Sequence, residues 1–348
     1  MRHSLIRLLL VALLALGTMA LAACGEDDDS SGGGGGSSTQ TEKKIRIAMV
    51  TDIGGLNDRG FNALAYKGLQ QAKSELGADI RVVTSKSNAD YVPNLSSLAR
   101  QKYDLVVAVG FLMGDATAQV AKSFPQTNFA IVDFPSSALK GKPSNVRGLL
   151  FKENEAGYLV GYMAGLYAKE KGGDQSISAV GGQKVPAVDA YYAGYKAGAE
   201  KANPGIKNAF SYSQDFVDQA KCKEIALNQI EKGSQVVFAI AGQCGLGALD
   251  AAKEKNVQSI GVDADQGYVN SNVMTSALKK VDVAVFETAK TIQDDSFKGG
   301  EDTIFDVKSG AVGLGKVNAA GQPFEADVKK VSDQIAAGEI TDIPNTVD

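Results

Sequence analysis

Residues 49–68 read MVTDIGGLNDRGFNALAYKG and join the end of a strand to the start of a helix. The apolar residues before Thr51 are typical of a buried strand, and those after Asn62 recur at helical spacing. Between them, Asp52, two glycines and Asp58 have the composition of a polar turn. This order predicts a parallel α/β sheet with polar side chains at the carboxyl end of its first strand.

The same alternation of strand and helix continues along the chain in two series. Five short apolar runs in the first series have the length of strands, namely residues 45–50, 79–84, 104–110, 129–134 and 146–151. The second series has strand patterns over 176–182, 207–213, 234–242 and 258–265, and helical patterns over 187–202, 217–232 and 246–255. Strands that alternate with such helices predict parallel sheets with right-handed crossovers. Two series predict two similar lobes.

An apolar segment that begins at Glu155 contains Gly157, Gly161 and Gly165 at four-residue spacing. This spacing resembles a membrane dimerisation face, but the apolar run ends at Lys169 and is too short to span a bilayer. Small residues in register favour a helix that packs closely on a sheet. We expect it to be the last helix of the first lobe.

The start of the chain carries an export signal. Arginines followed by an apolar core predict a secretory signal peptide over residues 1–23. It leads into Leu-Ala-Ala-Cys, which resembles the lipobox of bacterial lipoproteins and makes Cys24 the expected lipidation site; ordinary secretory cleavage beside an incidental cysteine is the alternative. Residues 24–44 cannot join a core and predict a disordered tether. We therefore expect a lipid-anchored protein on the outer face of the cytoplasmic membrane, extracellular or periplasmic.

The charge and the histidine content exclude several classes of function. The chain has 36 Lys and Arg and 40 Asp and Glu residues, and loss of the signal removes Arg2 and Arg7. This acidic balance argues against nucleic acid as a partner. The only histidine, His3, lies in the signal, which excludes Ser-His-Asp and Cys-His catalysis and most transition-metal sites from the mature chain. The composition favours a binding protein without a cofactor over an enzyme.

Polar and aromatic side chains collect at the predicted strand ends, where open α/β sheets bind their ligands. They include Asp52, Phe61, Asn62, Gly110, Phe111, Asp115, Lys184, Phe216, Gly242, Asp263, Asp265 and Gln266. The scarcity of cations among them argues against a phosphate or free carboxylate ligand. A neutral glycoside fits better, because carboxylates accept hydrogen bonds from paired hydroxyls and phenylalanine stacks on a flat ring. A nucleoside has both features.

Five blocks of sequence resemble a known family when taken in order: VTDIGGLNDRGFNALAYKGL, GFLMGDA, ENEAGYLVGYMAG, AGQCGLGALDAAKEKNVQSIGVDADQ and TSALKKVDVAV. They are similar to the basic membrane protein family, nucleoside-binding lipoproteins of ABC transporters that include a purine nucleoside receptor. The resemblance covers roughly residues 45–345. It implies a type I periplasmic-binding-protein fold, with two lobes, three crossovers and the ligand enclosed at the hinge. It also implies a monomer that passes purine nucleosides to a membrane permease.

In that fold, the first lobe would comprise residues 45–172 plus about 276–308, and the second lobe 173–275 plus about 309–348. The resemblance also implies the ligand-binding residues. Phe61 would stack on one face of the base and Phe216 on the other, while Asp115 would read the base edge. The other implied contacts are Asp52 and Asn62 for the base, and Gly242, Asp263 and Lys279 around the ribose.

The first block departs from the family pattern in two places. Arg59 and Gly60 stand where the family usually has Lys and Ser, and Ala63 follows Asn62 where Gln is common. We expect both positions to lie at the rim of the site and to affect ligand preference more than fold.

The residue types alone leave other interpretations open. Asp58 is more typical of a helix N-cap than of a ligand contact, and each phenylalanine could belong to the core. Residues 242–247, GQCGLG, together with Asp263 imitate a dinucleotide-binding unit, although the glycine spacing differs. Asp263 and Asp265 could serve a calcium-dependent ribosyl hydrolase. A lipoprotein that senses the ligand for signalling is a further alternative.

Cys222 and Cys244 are the two cysteines that remain if Cys24 is lipidated, and an oxidising compartment favours their pairing. Cys222 lies in the first turn of a predicted helix, and Cys244 lies just past the following strand. Both positions fall at the same edge of a parallel unit. The sequence therefore predicts a disulfide, with two separate buried thiols as the alternative.

Overall fold

Two six-stranded sheets make up the part of the chain that the computed structural model describes, residues 44–347. The first sheet contains β1 (Arg46–Thr51), β2 (Asp79–Thr84), β3 (Leu105–Val109), β4 (Asn128–Val132), β5 (Val146–Phe151) and β11 (Asp302–Phe305). The second contains β6 (Ser176–Gly181), β7 (Lys207–Tyr212), β8 (Ser234–Ile240), β9 (Gln258–Asp263), β10 (Val273–Lys279) and β12 (Val312–Leu314). The predictions for the signal peptide, for Cys24 and for nearly all of the tether concern residues 1–43 and lie outside the described residues.

The two sheets share one topology. The strand order is β11-β5-β4-β3-β1-β2 in the first sheet and β12-β10-β9-β8-β6-β7 in the second. All neighbouring strands are parallel except β10 and β12, which pair antiparallel. Near-continuous apolar runs form the inner strands, and β3 and β6 are buried along their whole length, as expected for a parallel sheet covered on both faces. The predicted α/β fold with two similar lobes is confirmed.

Helices flank both sheets within residues 44–347. They are α1 (Phe61–Leu76), α2 (Tyr91–Arg100), α3 (Gly114–Ser123), α4 (Glu153–Lys171), α5 (Pro186–Ala202), α6 (Gln219–Glu231), α7 (Gly242–Glu254), α8 (Val281–Gln293) and α9 (Glu325–Ala336). Within the same residues, none of the helices has the length and apolar character that a membrane span needs.

The chain passes between the sheets three times. The crossing points are Lys152 between β5 and α4, Lys280 between β10 and α8, and residues 306–311 between β11 and β12. After the first crossing, α4 packs on α5 and on the second sheet. After the second, α8 packs on α1 and on β3 of the first sheet. The two sheets and their helices therefore form two lobes linked by three short segments.

The structure corrects two predicted lobe boundaries. Residues 153–172 do not complete the first lobe, because α4 packs against α5 of the second. The glycines of α4 face a helix and not a sheet: a Cβ at Gly157 or Gly161 would overlap the backbone carbonyl of Tyr191 or Tyr195 in α5. Residues 276–279 also belong to the second lobe, because β10 pairs with β9 up to its end.

A disulfide joins α6 to α7. Cys222 and Cys244 are both buried, and their Cα atoms lie 5.5 Å apart. The bond closes a segment with a sequence separation of 22 residues at one edge of the second lobe.

Candidate ligand-binding site

The carboxyl ends of strands from both sheets border one cavity between the lobes. The first lobe contributes Asp52 after β1, Gly110 and Phe111 after β3, and Asp133 after β4. The second lobe contributes Gly242 after β8, Asp263 at the end of β9 and Lys279 at the end of β10. Parallel strands place their carboxyl ends at one edge of a sheet, so the topology brings these distant residues together.

The turn after β1 is held by side chains that bond to one another. Asp52 Oδ1 accepts hydrogen bonds from Gly54 N at 2.8 Å and from Asn62 Nδ2 at 2.7 Å. Asn62 Nδ2 also donates to Asp58 Oδ2 at 3.0 Å, and Asn62 Oδ1 accepts from Asp52 N at 3.2 Å. Both amide hydrogens of Asn62 are thus used within the protein. Asn62 holds the turn in shape, and Asp52 keeps its second carboxylate oxygen for the cavity.

Asp58 caps helix α1 from the preceding turn, although Gly60 occupies the N-cap position. Its Oδ2 accepts from Asn62 N at 2.7 Å, and its Oδ1 accepts from Gly60 N and Ala63 N, each at 3.1 Å. The amides of Asn62 and Ala63 belong to the first helical turn, where backbone donors have no partner within the helix and need acceptors. Burial raises the pKa of Asp58 despite these bonds.

Two aromatic rings face the cavity from opposite lobes. Phe61 opens α1 in the first lobe, and Phe216 lies between β7 and α6 in the second. Glycines make room for both rings. A Cβ at Gly110 would lie 3.5 Å from the Phe61 ring, and a Cβ at Gly182 would overlap the Phe216 ring. Gly242, with a φ of +54°, approaches the Phe216 carbonyl.

Lys279 lines the cavity with a cationic side chain, and the residue is only 1% exposed. Its Nζ donates to Asp133 Oδ2 at 2.6 Å and to Glu153 Oε1 at 2.8 Å. The same nitrogen lies 5.1 Å from the centre of the Phe61 ring. Burial alone would lower the pKa of Lys279, but Asp133, Glu153 and Asp263 together raise it above its ordinary value. Lys279 therefore stays charged and joins the first lobe, the first crossover and the second lobe.

Asp133 and Asp263 end strands in the two lobes with the same unusual backbone. Their φ angles are +66° and +63°, in the left-handed region that Asp tolerates better than most residues and that often marks functional sites. Asp263 Oδ1 accepts a hydrogen bond from the Tyr191 hydroxyl at 3.1 Å. Asp133 Oδ1 is buried and has no hydrogen-bond partner within the described part of the chain.

Burial raises the pKa of each carboxyl group at the cavity. The pKa rises to about 6 for Asp52, and to about 7 for Asp263 and for Glu153. Burial also raises the pKa of Asp133, against the attraction of Lys279. The cavity wall therefore holds several buried carboxyl groups whose ionisation is disfavoured. Within residues 44–347, no cluster of three or more His, Cys, Asp or Glu residues is arranged to hold a metal ion.

Residues 45–342 match the family model of PnrA-like ABC transporter substrate-binding proteins. The chain belongs to this family.

Several PnrA-like relatives and solved structures are similar over most of their length. The ABC transporter nucleoside-binding protein BmpA of Lactococcus lactis is 35% identical over 319 residues, covering 85% of this chain and 88% of its own. Basic membrane protein B of Borreliella afzelii is 31% identical over 284 residues, covering 79% and 82%. An ABC transporter solute-binding protein of Aeropyrum pernix superposes with a TM-score of 0.78 at 27% identity, covering 86% of this chain and 94% of its own.

Membership of the PnrA-like family gives the general role of the chain. It is the substrate-binding protein of an ABC transporter, with a small-molecule ligand and a permease as partners. The family consists of binding proteins, so at this level the role is not enzymatic. An uncharacterized lipoprotein of Pyrococcus abyssi is 35% identical over 310 residues, covering 85% of this chain and 76% of its own. Such names imply an extracytoplasmic location for these proteins.

The structure brings together seven of the eight residues that the sequence nominated for this PnrA-like site. Asp52, Phe61, Asn62, Phe216, Gly242, Asp263 and Lys279 line the cavity. Asp115 does not: it lies in the first turn of α3 and is exposed. The sequence analysis missed Asp133, because the predicted strand over 129–134 included it, whereas β4 ends at Val132 and leaves Asp133 at the strand end. It also missed Glu153 and Tyr191, whose helical positions carry no comparable signal.

Proposed function

We propose that this protein binds purine nucleosides between its two lobes and delivers them to the permease of its ABC transporter. The observation that carries the proposal is the pair of phenylalanine rings, Phe61 and Phe216, which face one carboxylate-lined cavity from opposite lobes. Neither lobe alone supplies both rings, so a base held between them would favour closure of the lobes. The name of the nucleoside-binding relative supports this ligand class.

The polar groups fit the rest of a nucleoside. Asp263 and Asp52 offer carboxylate oxygens that can accept hydrogen bonds from ribose hydroxyls or base N–H groups. Asp133 Oδ1, which lacks a donor among the described residues, takes the role that the sequence gave to Asp115. A buried acceptor without a partner costs free energy, and a ligand donor at Asp133 would recover it.

The charges favour a nucleoside over a nucleotide. Asp52, Asp133 and Asp263 line the cavity, and its ammonium, Lys279, is already bonded to two carboxylates. A phosphate would meet these carboxylates without a free cation to balance it. Lipid attachment at Cys24, position on the outer face of the membrane and a monomeric state complete the proposal.

A ligand panel tests the proposal. Inosine, adenosine and guanosine should stabilise the protein by about 2.7 kcal/mol at a hundredfold excess over Kd, whereas AMP, ribose and free amino acids should not. Thermal shift gives the ranking, and isothermal titration calorimetry gives the affinities. Shifts with sugars or amino acids and none with nucleosides would overturn the proposal.

Calorimetry on ring variants tests the stacking geometry. Phe61→Ala and Phe216→Ala should each weaken nucleoside binding about tenfold to a hundredfold, because stacking on an aromatic ring contributes about 1–3 kcal/mol. Phe297→Ala is the matched control, since this ring lies outside the cavity and packs beneath Arg147. If both cavity variants fold and bind as tightly as the parent, the two rings are core residues and not a binding sandwich.

A further inference from the structure

A second group of contacts joins the lobes at the rim of the cavity, apart from the three crossovers. Gln266, in the loop after β9 of the second lobe, donates from Nε2 to the carbonyl oxygen of Arg59 at 3.2 Å. The two residues are 207 positions apart in sequence. Arg59 belongs to the turn before α1 in the first lobe, so this hydrogen bond crosses the cleft. The Arg59 guanidinium also lies 6.0 Å from the ring centre of Tyr268, which is 65% exposed.

Gln266 is built into its own lobe. The side chain is nearly inaccessible, with the residue 2% exposed. Its Oε1 accepts from Val262 N at 3.0 Å, and its backbone N donates to Ser276 Oγ at 3.0 Å. Gly261 leaves the space for it, because a Cβ there would lie 2.7 Å from Gln266 Oε1. The amide thus uses its acceptor within the second lobe and its donor across the cleft.

The two loops that meet at this contact also carry the ligand-facing groups. Val262, which bonds to Gln266, directly precedes Asp263. Arg59, whose φ is +53°, lies in the turn that holds Phe61 and Asn62. A Cβ at Gly60 would lie 3.6 Å from the carbonyl oxygen of Val262 and 3.7 Å from Asp263 Oδ2, so the two loops lie close together.

We propose that Gln266 is a positioning residue for ligand retention, because it locks the Arg59 turn of the first lobe to the Asp263 loop of the second when the cleft is closed. It does not touch the ligand. Loss of its cross-cleft donor should speed ligand release and leave association nearly unchanged, since the contact forms only after the lobes meet. The inference rests on the proposed nucleoside binding for its kinetic test.

Two substitutions separate the cross-cleft bond from the local role of the side chain. Gln266→Glu keeps an acceptor for Val262 N but loses the Nε2 donor to Arg59. Gln266→Met keeps the length of the side chain and controls for the charge of Glu, although it also removes the acceptor for Val262 N. Asp265→Asn is the matched control, because Asp265 lies on the same loop and its side chain bonds only to Gly267 N, at 3.4 Å, among the contacts within residues 44–347.

Surface plasmon resonance with inosine at pH 8 gives both rate constants. Gln266→Glu and Gln266→Met should each raise the dissociation rate constant about threefold to tenfold, the range expected for one net hydrogen bond, and change the association rate constant less than twofold. Asp265→Asn should change neither. An unchanged dissociation rate constant in both Gln266 variants would overturn the proposal. So would a loss of affinity that comes only from a lower association rate constant.

A ligand-independent measurement keeps this test apart from the proposed function. Double electron–electron resonance measures the separation of the lobes. The spin labels are attached at Ser74→Cys in the first lobe and at Lys253→Cys in the second. Without ligand, the Gln266→Glu variant should populate longer distances than the parent. Identical distance distributions would overturn the role of Gln266 even if the parent binds inosine. A parent that does not bind inosine but opens on this substitution would refute only the nucleoside proposal.

Discussion

Replacing Asp263 by Asn should stabilise the folded protein at pH 8 and weaken its binding of nucleosides at the same pH. The substitution keeps the local geometry, because Asn tolerates the φ of +63° as Asp does and its oxygen can still accept from the Tyr191 hydroxyl. What it removes is the buried negative charge. Stability and affinity should therefore move in opposite directions.

The size of the stability change follows from the pKa. Burial raises the pKa of Asp263 from 3.8 to about 7, although Lys279 opposes the shift. Because the folded-state pKa is the higher one, the folded protein holds the proton more tightly, and this group lowers stability as the pH rises from about 4 to about 7. The difference between the two pKa values, at about 1.4 kcal/mol per unit, corresponds to a loss of roughly 4 kcal/mol in the free energy of unfolding. The Asn variant should gain up to that amount relative to the parent at pH 8 and only about 1 kcal/mol at pH 4.5.

Urea denaturation at pH 4.5 and pH 8 measures both differences, and calorimetry at pH 8 measures the affinity. The variant should bind inosine about tenfold to a hundredfold more weakly, since a hydrogen bond to a charged acceptor contributes about 1.5–3 kcal/mol. Asp115→Asn is the control, because it makes the same exchange of side chains at an exposed position outside the cavity. The reasoning is refuted if Asp263→Asn is less stable than the parent at pH 8, or if its stability difference from the parent is the same at both pH values.

Four further outcomes are expected. Asp115→Asn should leave the affinity for purine nucleosides and the preference among bases unchanged in calorimetry, because the side chain lies outside the cavity. Thiol titration of the denatured, unreduced protein should find no free thiol at Cys222 or Cys244, and reduction of the disulfide should lower the free energy of unfolding by roughly 3 kcal/mol. Gly161→Ala should lower the free energy of unfolding in urea denaturation by about 1–3 kcal/mol or more, because its methyl group would overlap the backbone of α5. Lys279→Met should cost about 3–5 kcal/mol at pH 8 by leaving two carboxylates unpaired, and less at pH 4.5, where those groups take up protons.

Within residues 44–347, local signals in the sequence were sufficient for nine of the twelve strands and for most of the site, but β10, β11 and β12 were not predicted. Parallel strands are apolar runs that end in polar turns, so the strand ends could be located without any knowledge of tertiary structure. Seven of the nominated residues followed from those ends and from the family resemblance. Asp115 does not reach the cavity because it lies in the first turn of α3 with its side chain exposed, whereas Asp133 after β4 lines the cavity.

The partner of helix α4 could not be predicted in the same way. The glycine spacing shows that some backbone approaches this face closely, but it does not say which element supplies that backbone. Only the tertiary structure shows that Gly194 and Gly198 of α5 form the complementary face, each close to backbone atoms of α4. The chain crosses to the second lobe at Lys152, before α4, and the glycine face of α4 then packs against α5 in that lobe.

The turn after β1 performs three tasks with one set of residues. Asp58 caps α1, Asn62 holds Asp52 in place, and the Arg59 carbonyl meets Gln266 from the other lobe. Because the amide hydrogens of Asn62 are committed to Asp52 and Asp58, the proposed ligand would contact this turn through Phe61 and the second carboxylate oxygen of Asp52. Asp133 Oδ1 would take a further donor from the ligand. Under the proposed function, a molecule with a flat ring and several hydroxyl and N–H groups would bond to carboxylates of both lobes at once, which would couple recognition to closure.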